Sequence, residues 1–135
     1  MTSSDIHARD ARLEHDSLEY VTGQLSLFRA ERDWGQFHTP KNLALSLAIE
    51  VGELLEHFQW VSDEQIPEYV GKHKDAVAEE LADVMLYAIQ LADVLGISLA
   101  DALREKLALN AARYPAHAAR GSSAKHTQLA AQRTS

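Results

Sequence analysis

Glu50-Val51-Gly52-Glu53 sets two carboxylates three residues apart, and Glu80-Leu81-Ala82-Asp83 repeats the arrangement further along the chain. On an α-helix this spacing puts both groups of a pair on one face, about one turn apart. Taken alone, such pairs are ordinary on solvated helix surfaces, where like charges repel only weakly. These two pairs sit among apolar residues. Glu50 and Glu53 lie inside the most apolar helical stretch of the chain, and Glu80 and Asp83 run directly into Val84, Met85, Leu86, Ala88, Ile89 and Leu91. Close to a core, like charges repel and lose solvation unless something positive joins them. Hard oxygen donors with no cysteine nearby select Mg²⁺, Mn²⁺ or Ca²⁺ over zinc. If the two helices pack antiparallel, the four carboxylates converge on one Mg²⁺ site open to phosphate oxygens. Tyr87, four residues beyond Asp83, extends the same face, and His57, four beyond Glu53, stands at the edge of the other. Helical geometry is expected to turn Glu56 and Glu79 away from the pairs.

Four helical stretches must position these groups. The first is expected from about Ser17 to Asp33, with Leu18, Val21, Leu25 and Phe28 at helical spacing, Asp16 or Ser17 capping its start and Gly35 following its end. The second opens on Thr39-Pro40, an N-cap followed by proline at the first helical position, and runs to about Trp60. The third is expected from near Lys72 to about Leu95, with Gly96 as a left-handed C-cap. Val61 to Gly71, with Pro67 inside it, reads as a connection. The fourth opens at Ser98, with Asp101 three positions on in an acidic variant of the capping box, and ends near Arg113, before Pro115. No sustained period-2 alternation marks a strand.

The expected fold class is therefore all-α, a four-helix bundle with short connections between antiparallel neighbours. Residues 1–15 read as a flexible N-terminal segment, 16–118 as one helical domain and 119–135, small and polar from Gly121, as a mobile tail. On the second helix Leu43, Leu47, Val51, Leu54 and Phe58 line one face while Leu45 and Ile49 point elsewhere. A helix apolar on more than one face is buried on more than one face, which predicts a homo-oligomer, dimer or tetramer.

Composition narrows the chemistry. The 135 residues suit one modest core, and 46% apolar with 24% charged residues is ordinary for a globular chain. No run of about 18 apolar residues is present, so no membrane span is expected, and the polar first residues do not read as a signal peptide. The absence of cysteine excludes disulfides, thiolate metal sites and a cysteine nucleophile, and a cytoplasmic location is the expectation. With 20 acidic and 13 basic residues the net charge is −7, which disfavours a nucleic-acid polymer as partner. A phosphorylated small molecule needs a local device in so acidic a chain, and a cation held between carboxylate and phosphate is one.

Several further segments join the carboxylates in resembling one family. Phe28-Arg29-Ala30-Glu31-Arg32-Asp33-Trp34, Gln36-Phe37-His38, Glu50 to Glu56, Phe58-Gln59-Trp60, Glu79 to Val84, and Asn110 through Arg113-Tyr114-Pro115-Ala116-His117 together resemble the all-α nucleoside-triphosphate pyrophosphohydrolases, the MazG-like superfamily, and within it the dCTP pyrophosphatase group. The resemblance covers about Leu18 to Leu129. It implies Mg²⁺-dependent hydrolysis of a (deoxy)nucleoside triphosphate, dCTP or a modified dCTP first among them, to the monophosphate and pyrophosphate. It also implies a superfamily bundle assembled as a dimer or a dimer of dimers, acting in nucleotide-pool sanitation or balance. Glu50, Glu53, Glu80 and Asp83 would be the ligands of Mg²⁺, with Mn²⁺ a substitute. Trp34, His38, Trp60 and Tyr87 match positions that hold base and sugar, and Lys106, Asn110, Arg113 and Tyr114 match positions suited to the phosphate end. Two positions depart from the group: Leu25 stands where relatives can carry a histidine, and His57 where an apolar residue is usual. A leucine donates no hydrogen bond to a nucleotide, so the preferred base stays open.

The residues agree with that chemistry. Cleaving an α–β phosphoanhydride needs an in-line nucleophile and neutralisation of the leaving pyrophosphate, and carboxylate-held metal supplies both. A carboxylate not fully occupied by metal can take the proton of the water, and Glu53 is the expected general base. Trp34 and Trp60 at helix ends serve either as packing anchors or as stacking platforms for a base. Tyr87 would fill space beside the sugar. Lys106 and Arg113, seven apart on the last helix, share a face but are also ordinary partners of a helix C-terminus. A di-iron carboxylate bundle needs Glu-x-x-His pairs, which the chain lacks. His15-Asp16 lacks the further histidines of a metal-dependent HD phosphohydrolase. Two alternatives remain: the same fold acting on another (d)NTP, and a non-catalytic helical interaction module.

Overall fold

The computed structural model describes residues 17–132. The expected N-terminal segment 1–15, the alternative cap Asp16 and the His15-Asp16 dipeptide lie outside the described residues. Every regular element among those described is helical: α1 (Leu18–Glu31), a short 3₁₀ turn (Trp34–Gln36), α2 (Pro40–Glu56), α3 (Ile66–Val94), α4 (Leu99–Arg113), α5 (Ala116–Ala119) and α6 (His126–Gln132). No single helix among them is long and apolar enough to cross a membrane. The chain divides into two compact units, one ending at Ile97 and the other beginning at Ser98.

Side-chain caps start three of these helices as the sequence predicts. Ser17 Oγ accepts the Tyr20 N–H at 3.0 Å, Thr39 Oγ1 that of Asn42 at 3.2 Å and Ser98 Oγ that of Asp101 at 3.4 Å, each satisfying an amide that the first turn leaves orphaned. Gly96, at φ 65°, closes α3: its N–H donates to the Asp93 carbonyl and the N–H of Ile97 to that of Ala92. That pairing of two amides with two late carbonyls is the Schellman arrangement expected of a glycine there.

Two helix ends differ from expectation. The chain leaves α1 through Asp33 rather than Gly35, with Asp33 at φ 52° and Gly35 inside the 3₁₀ turn. Aspartate tolerates the left-handed region better than most residues, and the Gln36 amide fixes it by donating to both the Asp33 carbonyl and its carboxylate. The third helix begins at Ile66, not near Lys72, because Pro67 falls in its first turn, where a missing N–H costs nothing. The expected start coincides instead with a kink at His73 (φ −122°, ψ 18°), beyond which the apolar period resumes.

In the first unit α2 packs along α3, and α1 packs on α3. His57 meets Tyr69 at one end of the α2–α3 pair, and Glu50 meets Glu80 and Asp83 further along, so the two helices run antiparallel. Leu43, 1% exposed, Ile89 and Ala92 form the buried centre, with Gln90 the polar side chain buried beside them. Leu47, Leu54 and Phe58 are half-buried, whereas Leu45, Ile49 and Leu55 of the same helix are about 60% exposed. The second apolar face read from the sequence is thus open in the single chain.

The second unit holds α4, α5 and α6. Where composition from Gly121 suggests a polar tail, the chain turns at Gly121 (φ 70°) and forms α6, which buries Leu129. The Gln128 side chain accepts the Lys125 N–H at 3.1 Å and helps to start that helix. One apolar residue with a place to go outweighs a run of small polar ones.

Candidate functional site

The antiparallel register of α2 and α3 brings the two acidic pairs together. Carboxylate oxygens of Glu50, Glu80 and Asp83 all lie within 4.8 Å of one another, with Glu50 and Glu80 half-buried and Asp83 exposed. Glu53, one turn along α2, is exposed and shares a groove with Glu80. Desolvation, then the charges of Glu53, Asp83 and Glu80, hold the Glu50 carboxyl above the usual carboxylate range. Glu50 thus feels the charge of each of the other three carboxylates. Among the described residues no lysine or arginine pairs with any of them. An all-oxygen donor set under mutual repulsion, with one member desolvated, is the arrangement a hard divalent cation would relieve.

The groove beside this cluster, about 290 Å³, is lined by Glu53, Glu56, His57, Tyr69 and Glu80. This corrects the expectation that Glu56 turns away. It lies three residues after Glu53, the same spacing that joins Glu50 to Glu53, and therefore shares that face. Tyr69 is missed by the sequence reading because its helix was started too late. The Val61–Gly71 segment carries no periodic apolar signal, and only the terminal position of Pro67 hints at a helix there.

His38 ends the connection before α2 and is held by Arg29, which Asp93 holds in turn. Arg29 Nε donates to His38 Nδ1 at 3.1 Å, and an Arg29 terminal nitrogen lies 3.6 Å from the Asp93 carboxylate, with the Arg29 side chain only 11% exposed. An acceptor Nδ1 leaves the proton of the neutral ring on Nε2, and the Gln90 side chain also hydrogen-bonds the ring. Burial, followed by the Arg29 charge, pushes the His38 pKa below its ordinary 6.5. A histidine held neutral contributes stability that is present above that ordinary value and lost as pH falls below it, through the folded value. The expected result is a urea midpoint that declines below about pH 6.5. His38→Asn, which keeps an acceptor for Arg29 and removes the titration, flattens that decline. An unaltered acid limb in the variant would show that other groups set it.

Trp34 packs edge-on against Phe28 at 5.5 Å and against His38 at 5.9 Å, and Arg32 stacks 3.7 Å over the Phe28 ring. Trp34 and His38 thus form one corner. Trp60, 86% exposed, does not join it. It follows the far end of α2, whose 17 residues span about 26 Å at the helical rise. Tyr87 is half-buried one turn beyond Asp83. Leu25 lines an apolar groove of about 450 Å³ with Val21, Gln24, Phe28 and Leu86. On α4, Lys106 and Arg113 are exposed and Asn110 is half-buried. Tyr114 caps α4, donating its N–H to the Asn110 carbonyl at 2.8 Å, with its ring edge-on to His126 at 5.7 Å.

Proteins of known name and structure are similar to this chain. The model of the MazG-like family matches residues 45–129. The chain is 49% identical over 115 residues to dCTP pyrophosphatase 1 of Mus musculus and of Homo sapiens, covering 84% of this chain and 68% of each relative. It is 40% identical over 58 residues to the dATP/dGTP diphosphohydrolase of Cyanophage S-2L, covering 43% of this chain and 55% of that one. Among solved structures, a pyrophosphatase from Archaeoglobus fulgidus DSM 4304 is similar with a TM-score of 0.68 and 44% identity, over 72% of this chain and 91% of the other. With its acidic pairs facing each other across two antiparallel helices, and with this extent of shared sequence and backbone, the chain belongs to the MazG-like family.

Proposed function

We propose that this chain is a divalent-metal-dependent pyrophosphohydrolase of deoxynucleoside triphosphates, releasing the monophosphate and pyrophosphate. The observation that carries it is the convergence of Glu50, Glu80 and Asp83 within 4.8 Å, with no lysine or arginine paired to them among the described residues. Similarity to proteins named for dCTP and for dATP/dGTP points to the substrate class, and dCTP or a modified dCTP is the leading substrate.

Glu50, Glu53, Glu80 and Asp83 would hold Mg²⁺, with Mn²⁺ as substitute. Such a metal supplies charge neutralisation for the phosphate chain and lowers the pKa of bound water. Glu53, exposed at the open side of the cluster, is the residue best placed to accept the proton of the attacking water. Trp34 offers a face to a base, with His38 beside it. Tyr87 would sit beside the sugar. The roles of Lys106, Asn110, Arg113 and Tyr114 toward the phosphate end rest on the family resemblance.

A homo-oligomer, acting in the cytoplasm, completes the proposal. Trp34 and Trp60 stand at opposite ends of α2, so one nucleotide between two tryptophans requires a second copy. The open face with Leu45, Ile49 and Leu55 gives that copy apolar surface to cover.

A panel of dNTPs and NTPs incubated with Mg²⁺, with products resolved by anion exchange, tests the activity. Monophosphate and pyrophosphate are expected, with dCTP turned over fastest. Orthophosphate and a diphosphate as products would sink the assignment, and no turnover at all would leave a helical interaction module in its place.

A further inference from the structure

His57 lies outside the expected ligand set, and the fold gives it a partner. As the C-cap of α2 it stands half-buried, one turn past Glu53, with Nδ1 2.9 Å from the hydroxyl of Tyr69 on the first turn of α3. The two rings lie edge to face at 6.1 Å, and the Tyr69 ring stacks at 4.4 Å on His73, the residue at the kink. Tyr69 is thereby fixed from both sides. The other residues lining the groove that His57 and Tyr69 share are Glu53, Glu56 and Glu80.

We propose that His57, held by Tyr69, is a binding residue for the phosphate chain of the substrate, donating its Nε2–H to the pyrophosphate end. The inference rests on the pyrophosphohydrolase reading. Ionised Glu53, Glu56 and Glu80 only accept hydrogen bonds, so beyond the metal they repel a phosphate chain. A tyrosine hydroxyl that donates to Nδ1 fixes the neutral ring in the tautomer whose Nε2 carries the proton. That N–H is then a donor set in a wall of acceptors, where an anionic oxygen reaching past the metal can meet it. No change of protonation is needed. A purely structural pair, tying the end of α2 to the start of α3, would instead matter for stability and leave phosphate binding alone.

Three variants, His57→Leu, His57→Gln and Tyr69→Phe, separate the two roles. For His57→Leu, the Mg²⁺-dependent KM for dCTP and the inhibition constant for pyrophosphate are each expected to rise about tenfold, the scale of one hydrogen bond to a charged group, with kcat within about twofold. Glutamine, whose amide reaches close to the Nε2 position, recovers most of the loss. Tyr69→Phe gives a smaller rise in the same two constants. Independently of activity, ¹⁵N-histidine spectra of the metal-free protein are expected to show His57 as the Nε2–H tautomer, a preference weakened in Tyr69→Phe. An Nδ1–H tautomer, or pyrophosphate inhibition unchanged in His57→Leu while its melting temperature falls, overturns the inference and leaves the pair structural. Wild-type protein that turns over no nucleotide overturns the proposed activity and this inference together. Turnover with unchanged inhibition constants overturns this inference alone.

Discussion

Glu50→Gln is expected to melt at a higher temperature than the wild-type protein without metal, and to lose about 10³-fold or more in turnover with Mg²⁺. The two halves of that result have one cause. Burial and three neighbouring carboxylates raise the Glu50 pKa. A raised carboxyl contributes stability that is fully present below its ordinary value of 4.5 and lost as pH rises through the folded value. Above the folded value the metal-free protein therefore carries an ionised Glu50 at a cost, and an uncharged isostere removes the cost. The same substitution removes a proposed ligand, and several kcal/mol of metal-derived stabilisation correspond to about three powers of ten in rate. Asp83→Asn should lose activity alike. Differential scanning calorimetry with and without Mg²⁺ is the check. The wild-type melting temperature rises with Mg²⁺, since an ion that binds only the folded state stabilises it by mass action, and the variants lose most of that rise. Equal Mg²⁺ shifts in wild type and Glu50→Gln would falsify the metal centre.

Leu43→Ala carries the largest expected loss of stability, about 2–5 kcal/mol, enough to threaten a domain whose total is about 5–15 kcal/mol. Leu43 is 1% exposed, near the start of α2, and few other side chains among those described are as deeply buried. Removing its branched end leaves a cavity that so small a core has little means to fill. Urea unfolding at fixed protein concentration measures the loss. Ile49→Ala, at a residue 60% exposed in the single chain, serves as the comparison. A loss at position 49 rivalling that at position 43 would mean that the open face of α2 is covered in solution, and a small loss at 43 would mean that the core lies elsewhere.

Much of this architecture is legible from short-range chemistry. Ser17, Thr39 and Ser98 announce helix starts because a hydroxyl before a periodic run has one use, and Gly96 announces an end because its φ suits few other residues. The i, i+3 spacing of Glu50 with Glu53 and of Glu80 with Asp83 was enough to place each pair on one face, and the antiparallel register of α2 and α3 then joined them. What stayed hidden depends on contacts between distant residues. Tyr69 became visible only once Pro67 was placed in a first helical turn, and the tie from Arg29 to both His38 and Asp93 links residues far apart in sequence. Asp33 took the left-handed position beside a glycine that could have held it, because Gln36 stands ready to bind its carboxylate. Trp60 is 86% exposed in the single chain, and its place at a helix end does not announce that.

The unbalanced acidic face between α2 and α3 also selects the form in which a nucleotide can arrive. A bare triphosphate approaches carboxylates that repel it, whereas a triphosphate already complexed to a divalent ion carries the neutralising charge along. Such a protein reads the ratio of nucleotide to free cation rather than nucleotide alone. With the proposed metal dependence, hydrolysis is expected to slow when triphosphates outrun the ion supply, through scarcity of the complex and with no regulatory site.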